Sequence, residues 1–233
     1  MYTQPHRRNA RLVSQILFTL VLMFGAGIKS AQADEIAIWN FNDSDLNVDH
    51  GTGTLVSSFV SANILFASGT TNNARLGDSG GQALSLQGGT SNTNNGRDIT
   101  FNVSTLGFSN IVVSFATQGT STGFNLNQFQ YSLDGLNFVD FGAPYVPATA
   151  FGTVPLVFTL SSIVGLDNNP NAAFRIVFNG ATSSTGNNRL DNFVVEGTSM
   201  ETTTIPEPST AVLLLSGLSG LFGVRRRRWR ARS

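Results

Sequence analysis

The sequence predicts an all-β domain, an antiparallel β-sandwich of jelly-roll type, with a signal helix before it and a membrane-spanning helix after it. Three observations predict this. Apolar residues recur at every second position through the middle of the chain, turn chemistry separates those runs, and the two ends carry short apolar segments with basic flanks.

The period of two is plainest at Ile111, Val113, Phe115 and Thr117, at Phe129, Tyr131 and Leu133, at Val154, Leu156, Phe158 and Leu160, and at Phe174, Ile176 and Phe178. Strands turn alternate side chains to opposite faces, so each set is one half-buried stripe. Residues 36–41, 54–59, 99–103, 138–141 and 190–195 add further strands. Gly88-Gly89, Asn95-Gly96, Asp134-Gly135, Asn179-Gly180 and Gly186-Asn187-Asn188 supply the turns. Residues 131–138 read as a hairpin around Asp134-Gly135. One helical turn is expected at 161–165, ended by Asn168, Asn169 and Pro170. Eighteen phenylalanines match a core made by two sheets about 10 Å apart, a gap that aromatic rings can fill.

There is no cysteine, which excludes disulfides, a thiol nucleophile and thiolate metal sites. The formal charge of zero hides a segregation. Ten of fourteen basic residues lie in the terminal segments, and residues 34–204 hold four arginines against thirteen carboxylates, a net −9 with no lysine. Such a domain repels phosphate backbones, so nucleic acid is excluded as a partner. Multivalent cations and neutral, hydroxyl-rich surfaces suit it better.

At the N-terminus, His6, Arg7, Arg8 and Arg11 precede the apolar residues 16–27, and Ala31-Gln32-Ala33 follows. This is the order of a secretory signal peptide over residues 1–33, cut after Ala33 by signal peptidase; an uncleaved anchor is the alternative. Residues 34–198 form the β-domain and 199–208 a linker containing Ile205-Pro206-Glu207-Pro208. The apolar or small residues 209–224 would span about 24 Å as a helix, short of a ~30 Å hydrocarbon core. Arg225, Arg226, Arg227 and Arg228 open a basic cytoplasmic tail over 225–233. The prolines stop the helix from extending backwards and leave an extended segment beside the membrane. Gly217, Gly220 and Gly223 give the helix a small-residue face that another helix can approach, expected to be the processing enzyme's.

Pro206-Glu207-Pro208, one apolar helix and a terminal arginine cluster, in that order, resemble the PEP-CTERM sorting signal. The resemblance implies recognition by an exosortase, an integral membrane protease, with removal of the tail, in Gram-negative bacteria that make exopolysaccharide. It implies a transient stay in the inner membrane and a mature form at the envelope surface or in the matrix; a permanent anchor is the alternative. Residues 38–42, 171–176 and 188–193 are similar to segments of exported jelly-roll domains bearing this tail, which implies a fold and an address more than an activity.

Catalytic candidates are few. His50 is the single histidine of residues 34–204, which excludes a histidine-cluster metal site and leaves a loop histidine. Carboxylate pairs can hydrolyse glycosides, and Asp43, Asp45, Asp49, Asp134, Asp140, Asp167 and Asp191 keep a glycan-processing enzyme as the alternative to a non-catalytic surface or matrix protein. Most of these aspartates sit where turns favour them. With the first and last strands side by side, Asn42, Asp43 and Asp191 form the candidate oxygen set for calcium, the one cofactor considered. Pairing of Asp191 with Arg189 or a backbone amide competes with that reading. For carbohydrate contact, Trp39 is expected in the core, whereas Tyr145, between Pro144 and Pro147, is expected as the exposed ring.

Overall fold

The computed structural model describes residues 33–200; the expected signal peptide, spanning helix and arginine tail lie outside the described residues. Its strands are β1 (Ala33–Trp39), β2 (His50–Gly51), β3 (Thr54–Ser57), β4 (Ile64–Ser68), β5 (Gln82–Gln87) and β6 (Arg97–Asn102). They continue as β7 (Phe108–Gly119), β8 (Leu126–Ser132), β9 (Phe138–Asp140), β10 (Leu156–Thr159), β11 (Ala173–Asn179) and β12 (Asn187–Ser199). Only short 3-10 turns interrupt them, at Ser61–Asn63, Thr90–Asn92 and Val164–Leu166. Among the described residues no helix is long and apolar enough to cross a membrane.

All pairings are antiparallel and fall into two sheets. The five-stranded sheet runs β3-β6-β11-β8-β9. The seven-stranded sheet runs β10-β7-β12-β1-β2, with β5 also pairing to β12 and β4 beyond it. The first and last strands are neighbours, Ile38 opposite Val194 and Trp39 opposite Phe193.

The core lies between the sheets and is built of rings. Phe101 of β6 stacks on Phe193 of β12 with centroids 3.6 Å apart, and Trp39 meets Phe101 edge-on at 5.0 Å. Phe129 of β8 stacks on Phe158 of β10 at 4.0 Å. Burying such rings, at roughly 25 cal/mol per Å² of apolar area, drives the two sheets together without a covalent staple.

Two expected apolar positions turn out otherwise. Val154 is 77% exposed because β10 begins only at Leu156, and Leu133 is exposed beyond the end of β8. The expected hairpin forms, with Ser132 opposite Phe138 and Gly135 at φ 74°. The Asp134 carboxylate ties it, accepting the amides of Asn137 and Leu136, the Asn137 side-chain amide and the Ser132 hydroxyl. These donors, the Asn137 amide foremost, hold the exposed Asp134 carboxyl well below the usual carboxylate range.

Candidate functional site

The two outward faces of the sandwich differ. Residues 69–81, between β4 and β5, lie as a roof across the outward side of β12 and β7. The Thr70 amide donates to Asp191 Oδ2 at 2.7 Å, and Asn192 Nδ2 donates to the carbonyls of Thr70 and Asn72 at 2.8 and 2.9 Å. Asn73 Nδ2 donates to the Asn192 carbonyl at 2.7 Å and to Ser114 Oγ at 3.1 Å. Arg75 closes the far end on Glu196, its Nε and Nη2 at 3.0 and 2.9 Å from Oε1.

Local sequence explains how the roof meets the strand. The pairing of β12 shifts register between Asp191 and Val194, and Asn192 sits in this bulge at φ 48°, a conformation asparagine tolerates better than most residues. Gly69 is required by close approach, since a methyl group there would collide with the Gly80 carbonyl and the Asp191 carboxylate. At the roof's edge a groove of about 330 Å³ is lined by Arg75, Ser114, Pro155, Val157 and Glu196, among others.

Asp191 is only 1% exposed. Burial pushes its carboxyl up to about 7, against the opposing pull of the Thr70 and Asn192 amides. Of the other calcium candidates, Asn42 Oδ1 accepts the Gln82 amide at 2.9 Å and Asp43 Oδ1 accepts the Asp45 amide at 3.3 Å, Asp43 being exposed. Asn42 Nδ2 also donates to the Ser79 carbonyl, so Asn42 and Asp191 both hold the roof, at separate points. Each residue of the expected set thus accepts at least one backbone amide, both oxygens of Asp191 doing so and only Oδ1 of Asp43. Phe41, beside Asn42, is held at φ 55°, costly for a bulky side chain.

Of the remaining aspartates, three more accept backbone amides and Asp140 a side-chain amide. Asp49 accepts the Asn40 amide at 2.7 Å, Asp45 the Asn47 amide at 2.7 Å and Asp167 the Asn110 amide at 2.9 Å. Asp140 accepts from Gln130 Nε2 at 2.7 Å. Partial burial raises the Asp49 carboxyl, although the amides of Asn40 and Phe41 pull the other way. His50 lies in β2, its Nε2 3.8 Å from Asp78 Oδ2. Among the described residues no three His, Cys, Asp or Glu side chains come together as a metal-holding group.

Tyr145, expected as an exposed ring, is partly buried. Its backbone bridges Asn127 in both directions, at 2.8 and 3.0 Å, which turns the ring inward beside Phe115 and Phe158, with centroids 6.1 and 6.4 Å away. Burial raises the phenol well above its ordinary value. Trp39 is fully buried, as expected.

The outward face of the five-stranded sheet carries polar side chains that sequence reasoning did not assemble. Phe174, Ile176 and Phe178 point into the core, so Arg175 and Val177 point out. Register then sets Val56, Thr100, Arg175, Gln130 and Asp140 on one rung, and Thr54, Asn102, Ala173, Ser132 and Phe138 on the next. Arg175 Nε donates to Gln130 Oε1 at 2.7 Å, and the guanidinium carbon lies 3.7 Å from the centre of the Phe138 ring. The signal for Arg175 was present, a charge inside an apolar alternation. Its neighbours follow only from strand order.

Solved structures similar to the chain include TmCBM61 in complex with β-1,4-galactotriose, at 11% identity and a TM-score of 0.42 over 67% of this chain and 92% of that one. Domain 4 of AbnA, a GH43 extracellular arabinanase from Geobacillus stearothermophilus, in complex with arabinotriose, is similar at 13% identity and a TM-score of 0.44, covering 73% and 95%. The K3 cleaved adhesin domain of Lys-gingipain from Porphyromonas gingivalis w83 is similar at 11% identity and a TM-score of 0.43, covering 71% and 99%. None of these likenesses bears on what this chain binds. No curated protein matches it. A protein-family model, the PEP-CTERM protein-sorting motif, matches residues 204–228, the stretch holding Pro206-Glu207-Pro208, the apolar run and the first four tail arginines. The chain is therefore a protein that carries the PEP-CTERM sorting motif.

Proposed function

We propose that this chain is an exported protein of a Gram-negative bacterium, freed from residues 1–33 by signal peptidase and held briefly in the inner membrane by residues 209–224. Exosortase then acts at the linker over 199–208, and the β-domain, residues 34–198, is delivered to the envelope surface or exopolysaccharide matrix. There it serves as a non-catalytic module that adheres to carbohydrate. The observation that carries this reading is the sorting motif at residues 204–228. The domain's charge supports a neutral partner, since four arginines against thirteen carboxylates disfavour polyanions. The aspartates' ties to backbone amides support a structural rather than a catalytic use of these carboxylates.

Replacing Pro206, Glu207 and Pro208 together by alanine tests the sorting claim. The variant is expected to enter the inner membrane and remain there with its arginine tail, absent from envelope and medium. A distribution identical to that of the unaltered protein would contradict it.

A further inference from the structure

We infer that the outward face of the five-stranded sheet, centred on Arg175, Gln130 and Phe138, is the platform on which an uncharged glycan chain lies. This rests on the carbohydrate adhesion proposed above and gives it a place. Residues 69–81 cover the outward side of β12 and β7 on the opposite sheet, whereas on this face Thr54 and Asp140 are exposed, Thr100, Asn102, Arg175 and Gln130 are partly exposed, and Ser132 alone of the two rungs' polar side chains is buried. At about 4.8 Å between strands, the face is about 19 Å across, enough for a short oligosaccharide lying along a rung.

The side chains suit hydroxyl groups, each of which donates one hydrogen bond and accepts others. Arg175 uses Nε on Gln130 and leaves both terminal nitrogens without a protein hydrogen-bond or carboxylate partner among the described residues. Asp140 takes Gln130 Nε2 on Oδ1, while Thr100 and Asn102 are fixed by Asp98 and Thr54. Donors and acceptors therefore alternate across Arg175, Gln130 and Asp140, already held by one another, so little rotamer freedom is lost when a ligand lies down. Phe138, under the guanidinium, anchors the edge.

Charge and composition select the occupant. The face sets Arg175 against Asp98 and Asp140, within a domain of net −9, so it does not attract a polyanion. Its apolar groups, Val56, Leu126, Val177 and Phe138, are scattered among polar ones and form no dry centre of the kind a protein interface uses. An uncharged, hydroxyl-rich chain remains.

The protein purified from its host is run in native gels containing xylan, galactan, mannan or a neutral β-glucan, with alginate as the acidic comparison. At least one neutral polymer is expected to retard it. Arg175→Ala and, independently, Gln130→Ala should weaken that retardation at least tenfold with melting temperatures unchanged. Arg175→Lys should restore it only in part, because an ammonium lacks the planar fork. Val157→Ser, on the outward side of the opposite sheet, should bind as the unaltered protein does. Retardation by a neutral polymer that survives the Arg175 and Gln130 changes would overturn the platform and leave adhesion standing. No retardation by any neutral polymer would overturn both, and export would be judged separately by fractionation. Retardation by alginate alone, or a dimer that Arg175→Ala dissociates, would also overturn the platform.

Discussion

Asp191→Asn isolates the most unusual electrostatic feature of the fold. The carboxyl is 1% exposed, and among the described residues its hydrogen-bond donors are the Thr70 and Asn192 amides, at 2.7 and 2.9 Å. Burial moves it from the ordinary 3.8 up to about 7. Between those values the native state holds a proton that the unfolded chain has released, so stability falls as pH rises through this window. At 1.36 kcal/mol per pH unit the shift amounts to about 4 kcal/mol, fully expressed above pH 7. For a domain of this size that is roughly 10 °C in melting temperature. Asparagine cannot ionise, and its side chain can accept only one of the two amides well, a loss of about 1 kcal/mol at every pH. Thermal melts in chelator from pH 4 to pH 9 should therefore cross. The unaltered protein is the more stable below about pH 4.5, and Asp191→Asn the more stable above it, by about 3 kcal/mol from pH 7 upward. Asp49, also raised, contributes equally to both proteins and drops out of the difference. Parallel curves would show that Asp191 is not an uncompensated buried charge.

Three further outcomes follow from the same structure. Gly69→Ala should cost about 1–3 kcal/mol by overpacking and speed hydrogen exchange at the Thr70 amide, because the new methyl meets the Gly80 carbonyl and Asp191; an unchanged denaturation midpoint would contradict this. Phe101→Ala, which removes the ring stacked on Phe193 and edged by Trp39, should cost about 3–5 kcal/mol in urea denaturation, against far less for Phe101→Leu. Millimolar calcium should leave the melting temperature unchanged, because Asn42, Asp43 and Asp191 already accept backbone amides. A site filled to a hundred times its Kd would instead add about 2.7 kcal/mol, and a rise abolished by Asp191→Asn would show that the cation binds there.

Much of the fold was legible because its strands bury one face. The alternations at 111–117 and 174–178 place Val113, Phe115, Phe174 and Ile176 in the core as read. β5 was not legible, since Ala83 and Ser85 are buried on the face opposite Leu84 and Leu86, and no exposed residues mark the period. β4 lacked an alternation altogether. The environment of Asp191 could not be read, because the Thr70 amide that holds it lies 121 positions away. Tyr145 was misread for a related reason. Flanking prolines signal a surface loop, but the bridge to Asn127 makes that loop a short extra edge of β8 and aims its ring at the core. Arg175 stood out within its strand, whereas the rung it shares with Thr100, Gln130 and Asp140 exists only once strand order is known.

The claim that this protein is exported and sorted through its terminal motif is tested most directly by intact mass of the protein recovered from its host, fractionated into inner membrane, envelope and medium. The expected species begins at Asp34, ends near Pro206-Glu207-Pro208 and is found outside the inner membrane. A species that keeps Arg225–Arg228 and stays in the inner membrane would contradict it.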